Sequence, residues 1–443
     1  MSLDTEPVAV TMTQLAATAA PAAQPPRSEQ GETRRALAFV YAGYLFRYAY
    51  LLVLIPFYGR VLGADEYGRL LAAMSLYQVV WMLTEYGFPI VGARDVAGTA
   101  DRQRIAGLYA RHMMGRLALA LPALAIGLGG TLLSPVLRAN PALGILATAN
   151  GIVAAFNLGW YFQGTLSFRT SVMIELAGFA INLPLILLLV RGPGDGWMVL
   201  SILLASSTLC TVVAHGLALR AMDRRGLRWQ GGLALIAAST ALFVHRGLTI
   251  MMASSSTYLL SLFASAAQVG WYGVAERFAT VGLSLMQPAN HVLVGTVARR
   301  ISIKESEGEA YALMRTSLIV MTAFGMLLLA CTVLLAGTVV PLVLGPSFAP
   351  TVPMLQVMGL MFPFAAFCQV TAGYVLIPLR FDGLMSAVSL FGAAVTVGLV
   401  VLLGQRAGGT GVAWARTLGG IVLALALLAV LHRKKLLTRI WHA

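Results

Sequence analysis

Charge is what this chain has least of: 11% of its 443 residues are Asp, Glu, Lys or Arg, against about 25% in an average soluble domain. Lysine occurs only at Lys304, Lys434 and Lys435. None of the three closes a Gly-x-x-x-x-Gly-Lys-Ser/Thr phosphate loop, so ATP hydrolysis by that route is excluded. Work must come from a gradient, a membrane potential or the substrate's own concentration difference. Cysteine is equally scarce: Cys210, Cys331 and Cys368 all stand inside apolar runs, where they read as packing residues rather than a disulfide frame or a metal site. No His-Glu-x-x-His, Asp-x-Asp or nucleophile motif stands out, so no catalytic residue, metal or cofactor is expected.

In place of charge the chain has grease. Hydrophobic residues make up 58% and the mean hydropathy is +0.81, which together indicate an all-α integral membrane protein. Twelve apolar spans can be counted, near 36–58, 70–92, 113–133, 142–162, 172–190, 197–219, 240–263, 273–296, 314–338, 352–377, 384–403 and 411–431, each of roughly bilayer length. Ala, Pro, Thr and Gln dominate residues 1–33, and acidic Asp4 and Glu6 stand where a signal peptide would be basic. That segment reads as a disordered cytoplasmic tail. The stretch 233–263 exceeds one span, and part of it is expected along the membrane interface.

Basic residues set the orientation. Of 31 lysines and arginines, 22 fall at the two termini and in the links after even-numbered spans, and five fall after odd-numbered ones, which places both termini in the cytoplasm. The net charge of +14 is then a topology signal plus contact with anionic lipid, leaving little for nucleic acid to explain.

A weak internal repeat divides the chain. GADEYGR (63–69), between spans one and two, resembles SAAQVGW (265–271), between spans seven and eight. Each half would hold an even number of spans, so the halves share topology and a path lies between them. The expected organisation is a tail (1–33) and two six-helix bundles (34–230 and 231–443) around a central cationic cavity.

The four arginines left inside spans are Arg47, Arg246, Arg277 and Arg416. Arg47 sits about 16 Å into its span at 1.5 Å per residue, too deep to snorkel comfortably. An unpartnered charge there costs several kcal/mol, so it must meet substrate or an acid. Tyr44 and Tyr48 bracket it at helical spacing, as a wall facing water would. Arg246, beside His245, falls near Tyr44 under the repeat offset. For Arg277 and Arg416, close to outer span ends, snorkelling competes with a functional role. Glu85, Glu175 and Glu276 are candidates for proton or sodium coupling, or equally for salt bridges to these arginines. His215 and His291 read as satisfied core histidines.

RVLGADEYG (60–68), EYGF (85–88) with ARDVA (93–97), WYFQG (160–164), VGWYGVAERF (269–278), SFAPTVPMLQVM (347–358) and GTGVAWA (409–415) together resemble the polysaccharide transporter family. These are the O-antigen and lipid-linked oligosaccharide flippases of the multidrug/oligosaccharidyl-lipid/polysaccharide exporter superfamily. The resemblance implies a bacterial inner-membrane protein, not an enzyme, that moves a polyprenyl-diphosphate-linked glycan from the cytoplasmic to the periplasmic leaflet by alternating access. Its partners would be that glycan, membrane lipid and, compatibly, other glycan-export proteins. Guanidinium groups would bind the diphosphate bidentately. Where many members look to carry an aspartate in span seven this chain has Ser256, so any ion coupling falls to Glu85, Glu175 or Glu276.

Two rivals stand beside this reading. A cation-coupled multidrug exporter would favour acids over arginines in its cavity. A polytopic glycan polymerase or ligase would need a sizeable outer loop, and the longest outer link is short, near 339–351.

Overall fold

A computed structural model of the chain describes residues 27–247, 254–286 and 307–442, with 293, 296–297 and 299–301; side chains are described from Tyr50 onward, except Leu51, His245, Arg246, Glu307, Asp382 and His442. Among the described residues the chain is helical (87%) and contains no strand. Apolar runs of this length dictate that outcome, because in hydrocarbon only a helix satisfies its own backbone within one segment.

Among the described residues seven helices are long and apolar enough to cross a membrane: Arg102–Leu133, Pro141–Gly164, Phe168–Leu189, Gly196–Ala221, Gly308–Leu344, Thr351–Leu376 and Gly383–Arg433. Only 11% of the most apolar window of Gly308–Leu344 is buried against protein. Its remaining leucines and valines face outward, which is stable only in lipid.

Fewer helices than expected spans results from hairpins that run on through their turns. Gly383–Arg433 holds the spans expected at 384–403 and 411–431 and reverses at Ala407 and Gly408, the latter at φ 55°. Its arms run antiparallel, with Gly392 against Leu423 and Gly419 against Thr396. Helix Arg27–Glu85 joins the first two spans across Gly63, at φ 72°. The Tyr58 and Tyr67 rings meet across that turn with centroids 5.5 Å apart. This helix begins at Arg27, inside the segment expected to be irregular; residues 1–26 lie outside the described ones.

The overlong stretch at 233–263 is described in two parts, on either side of residues 248–253. Helix Gly232–Leu242 runs into a widened turn at Phe243–Gly247, and a short helix, Ser256–Leu260, follows. Gly232 lies against Met114 and Gly115, so helix Gly232–Leu242 packs on helix Arg102–Leu133.

The apolar core shows how the molecule is joined. One large cluster draws residues from both repeats, among them Leu62, Tyr67, Val269, Tyr272, Phe348 and Val412. Three further clusters stay separate: one spans Val96 to Met222, another Val297 to Ile440 and a smaller one Met286 to Tyr374. Residues from 50–202 and 260–415 therefore share a core at the end bearing the Gly63 and Gly408 turns, and separate cores form at the other end, where the basic links lie.

Most of the family-like motifs assemble that joined end. A Cβ on Gly68 would lie 1.8 Å from the Ala266 carbonyl oxygen, and one on Gly270 would lie 2.2 Å from the Ala64 carbonyl oxygen. These contacts are reciprocal: Gly68 and Gly270, like Ala64 and Ala266, are 202 residues apart. The repeat motifs thus meet face to face about a local two-fold axis, and only glycine permits the approach. Around them Arg60 donates to the carbonyls of Leu342 and Val343 at 2.6 and 3.0 Å, and the Trp271 indole donates to the Ser347 carbonyl at 2.9 Å.

Candidate functional site

Because the cores separate away from the joined end, a cavity of about 1270 Å³ opens, lined by residues from 50–214, from 254–283 and by Arg416. Its walls mix aromatic rings with amides and hydroxyls, including Gln78, Trp81, Asn150, Asn157 and Asn182. Hydrophobic walls bearing a few converging polar groups are usual for ligand sites.

Five of the residues singled out from sequence line this cavity: Glu85, Glu175, Glu276, Arg277 and Arg416. Glu276 and Arg277 are neighbours in helix Ala266–Ser284 and point apart, as adjacent helical positions must. The Glu276 carboxylate accepts from the Thr257 hydroxyl at 2.6 Å and from the Tyr272 hydroxyl at 3.3 Å, and faces Arg416 Nη2 at 3.9 Å. At 17% and 18% side-chain exposure, Arg416 and Glu276 are held within the protein rather than reaching for the membrane surface. Arg277 instead directs Nη2 to the Met74 sulfur at 2.9 Å. A thioether is a weak acceptor, and no carboxylate pairs with Arg277 among the described residues. Its guanidinium is the cavity cation best placed to take a stronger acceptor.

Ser256 is buried, and its neighbour Thr257 bonds Glu276. The carboxylate of this region therefore comes from helix Ala266–Ser284. Arg47, Tyr44 and Tyr48 lie on helix Arg27–Glu85, and His245 and Arg246 in the turn Phe243–Gly247; their side chains lie outside the described residues, as does His291 altogether. His215 behaves as a satisfied core histidine, with Nδ1 paired to the Tyr109 hydroxyl at 2.6 Å and Nε2 to the Phe156 carbonyl at 3.1 Å.

Reading the sequence missed one buried cluster. Arg116, one of the arginines counted for topology after span two, and His112, not singled out from sequence, are each 0% exposed. Their i, i+4 spacing, which puts both on one helix face, was the signal available. Outside the spans, Asp223 begins the strap between the repeats. It accepts from the Gln103 side chain at 2.9 Å and from Arg225 N at 3.0 Å. The hydrogen bond from Gln103, followed by that from Arg225, holds its carboxyl below the usual carboxylate range.

A profile of polysaccharide biosynthesis proteins matches residues 35–299. No curated protein matches the chain by sequence. Among solved structures, a multidrug resistance MATE family transporter of the MOP superfamily, in an inward-facing conformation, superposes with TM-score 0.68 at 14% identity, covering 88% of this chain and 98% of that one. The lipid II flippase MurJ, in an inward closed conformation, gives TM-score 0.67 at 13% identity, covering 89% and 87%. A mutant of the Vibrio cholerae MATE transporter VcmN gives 0.51 at 15%, covering 92% and 99%. The fold is that of multi-pass membrane transporters.

Proposed function

Because this chain belongs to the family of polysaccharide biosynthesis proteins, we propose that it is a flippase for a polyprenyl-diphosphate-linked oligosaccharide, an O-antigen, exopolysaccharide or similar repeat unit. The carrying observation is the cavity between the repeats, into which Arg277 and Arg416 bring cations and amide side chains bring sugar-compatible donors and acceptors. Diphosphate is the part of such a substrate that cannot cross hydrocarbon unaided. Arg277, whose described contact is a thioether, would exchange it for phosphate oxygens, and Arg416 would exchange its long contact with Glu276. Arg47 and Arg246, with Tyr44, Tyr48 and His245, belong to this proposal on sequence grounds. The lipid tail would stay in the bilayer through a lateral gap.

Transport would proceed by rocking of the two repeats, 34–230 and 231–443, about the glycine contact at the joined end. With basic links and both termini in the cytoplasm, the cavity opens inward and the joined end is periplasmic, in a bacterial inner membrane. Glu276, released from Arg416 when substrate arrives, would be free to take a proton or sodium; Glu85 and Glu175 are the other candidates.

The test is Arg277→Ala in cells. We expect loss of surface glycan and accumulation of the lipid-linked precursor at normal membrane protein level. Normal display at normal level would sink the role. The second reading, a cation-coupled multidrug exporter, is favoured by one feature: three carboxylates and two guanidiniums line the described cavity. Export of a lipophilic cation such as ethidium, abolished by Glu276→Gln and untouched by Arg277→Ala, would decide for it.

A further inference from the structure

Beside the cavity three buried polar side chains pack together. Arg116 is 0% exposed, and among the described residues its Nε, Nη1 and Nη2 have no hydrogen-bond partner; nor do either nitrogen of His112 or Nε1 of Trp160. The guanidinium lies 5.7 Å from the Phe88 ring centroid and 5.6 Å from that of Trp160. His112 stacks on Trp160 at 4.4 Å and meets Phe88 edge-on at 5.8 Å. Gly92 makes room for this stack, since a Cβ there would fall 2.4 Å from Trp160 Cε3 and 3.0 Å from His112 Cε1. The carboxylate acting electrostatically on Arg116 is Glu85, which makes no hydrogen bond to it among the described residues.

Ring faces attract a guanidinium, but they leave all its N–H groups unsatisfied, and a buried charge in that condition is strongly unfavourable. A site of this kind is satisfied only when an acceptor with several lone pairs reaches it. Phosphate oxygens match a planar fork of donors.

Both rings covering Arg116 sit on short pieces of chain. Phe88 is the first residue of helix Phe88–Ala97, behind Tyr86 at φ 50° and Gly87 at φ 75°. Trp160 is in the six-residue helix Gly159–Gly164, ahead of Leu166 at φ 56°. Trp160 also lines the cavity, so the ring that the guanidinium lies over is shared between the two.

We propose that Arg116, with His112, forms a second phosphate-class anion site, shuttered by Trp160, that receives the diphosphate at the cytoplasmic end of the path before or after it occupies the Arg277–Arg416 cavity. The inference rests on the flippase reading and deepens it.

The test is titration of the purified full-length protein with inorganic pyrophosphate and with farnesyl diphosphate. Arg116→Met should weaken both by roughly tenfold or more, as loss of charge-assisted hydrogen bonds implies. It should not lower Tm, because an apolar side chain of similar length replaces an unsatisfied buried charge. Trp160→Ala should tighten binding several-fold, through Arg116. Wild-type affinity in Arg116→Met, or unchanged or weaker affinity in Trp160→Ala, overturns the site; so does an Arg116-dependent signal with phosphatidylglycerol nanodiscs but with neither diphosphate probe. If Arg116→Met does not fold, the Trp160→Ala arm decides alone. Arg277→Met and Arg416→Met in the same titration test the cavity separately. Loss there with Arg116→Met unchanged sinks this inference only, and the reverse pattern sinks only the cavity assignment.

Discussion

Gly68→Ala places one methyl group where the two repeats touch. Its Cβ would stand 1.8 Å from the Ala266 carbonyl oxygen, while about 3.0 Å is the least such a pair tolerates. The hairpins must therefore part by about 1.2 Å, and since the obstacle is backbone no rotamer relieves it. Overpacking of this kind costs about 1–3 kcal/mol, charged only to the conformer in which the hairpins meet. The equilibrium should shift away from that conformer by about 5- to 150-fold. Gly270→Ala, facing the Ala64 carbonyl oxygen at 2.2 Å, should do the same to a smaller degree. Spin labels at the exposed positions Arg138 and Arg406, after replacing Cys210, Cys331 and Cys368 by serine, report the separation of the repeats by pulsed electron resonance. A longer-distance population should grow in the order wild type, Gly270→Ala, Gly68→Ala. A wild-type distance distribution in Gly68→Ala, with unchanged thermal stability, would refute the claim that this contact closes the outer end.

Other perturbations separate stability from function. Glu276→Gln removes the anion from a 3.9 Å pair whose members are 17% and 18% exposed, and keeps the capacity to accept from Thr257. Tm should fall, because removing one partner of a buried pair leaves the other charge uncompensated at a cost of up to about 3–5 kcal/mol, while the dependence of glycan export on the ion gradient should be lost if Glu276 carries the coupling ion. Asp223→Asn weakens the strap that holds the linker on helix Arg102–Leu133, so trypsin should cut faster at Arg224 and Arg225 than in the wild type. The same loosening should appear in the wild type as pH falls: a carboxyl whose folded pKa is depressed contributes its stabilisation above the unfolded value, 3.8, and loses it as pH drops through the folded one. Equal cutting rates for Asp223→Asn and the wild type at neutral pH would show that the strap rests on other contacts. Arg47→Lys should retain part of the transport lost in Arg47→Ala if charge alone matters, and a dead lysine variant at normal expression would indicate bidentate contact with phosphate.

Much of the fold could be read from apolar run length, because in a bilayer that length is almost the whole secondary-structure code. The likeness of the two turn motifs has a physical reason: small residues at 64, 68, 266 and 270 meet in one reciprocal contact. The same runs hid the hairpins' continuity. Gly63 and Gly408 turn the chain within one or two residues, so spans expected as separate helices run on through one turn. The widened turn at Phe243–Gly247 was not legible either: its sequence FVHRG holds no proline, and Arg246 reads as a charge within a span.

For the candidate site, sequence supplied depth but not direction. A charge's position along a span tells how far it lies from water, and on that basis Arg277 and Arg416 could have snorkelled; their helices instead turn them into the cavity. The error on Arg116 has the opposite sign. Beside four other arginines at a span's inner end it looked like one more topology charge, yet helix Arg102–Leu133 rotates it inward, beneath Phe88 and Trp160. Azimuth is fixed by which helices pack together, and that depends on contacts such as Gly232 on Gly115 and Gly92 under Trp160, far apart in sequence. The testable consequence concerns Gly92. Gly92→Ala would push Trp160 and His112 aside without touching a charge, so if Trp160 is the shutter over Arg116, this variant should mimic Trp160→Ala in pyrophosphate affinity while leaving the guanidinium in place. Affinity equal to the wild type would mean the ring's position does not govern access to Arg116.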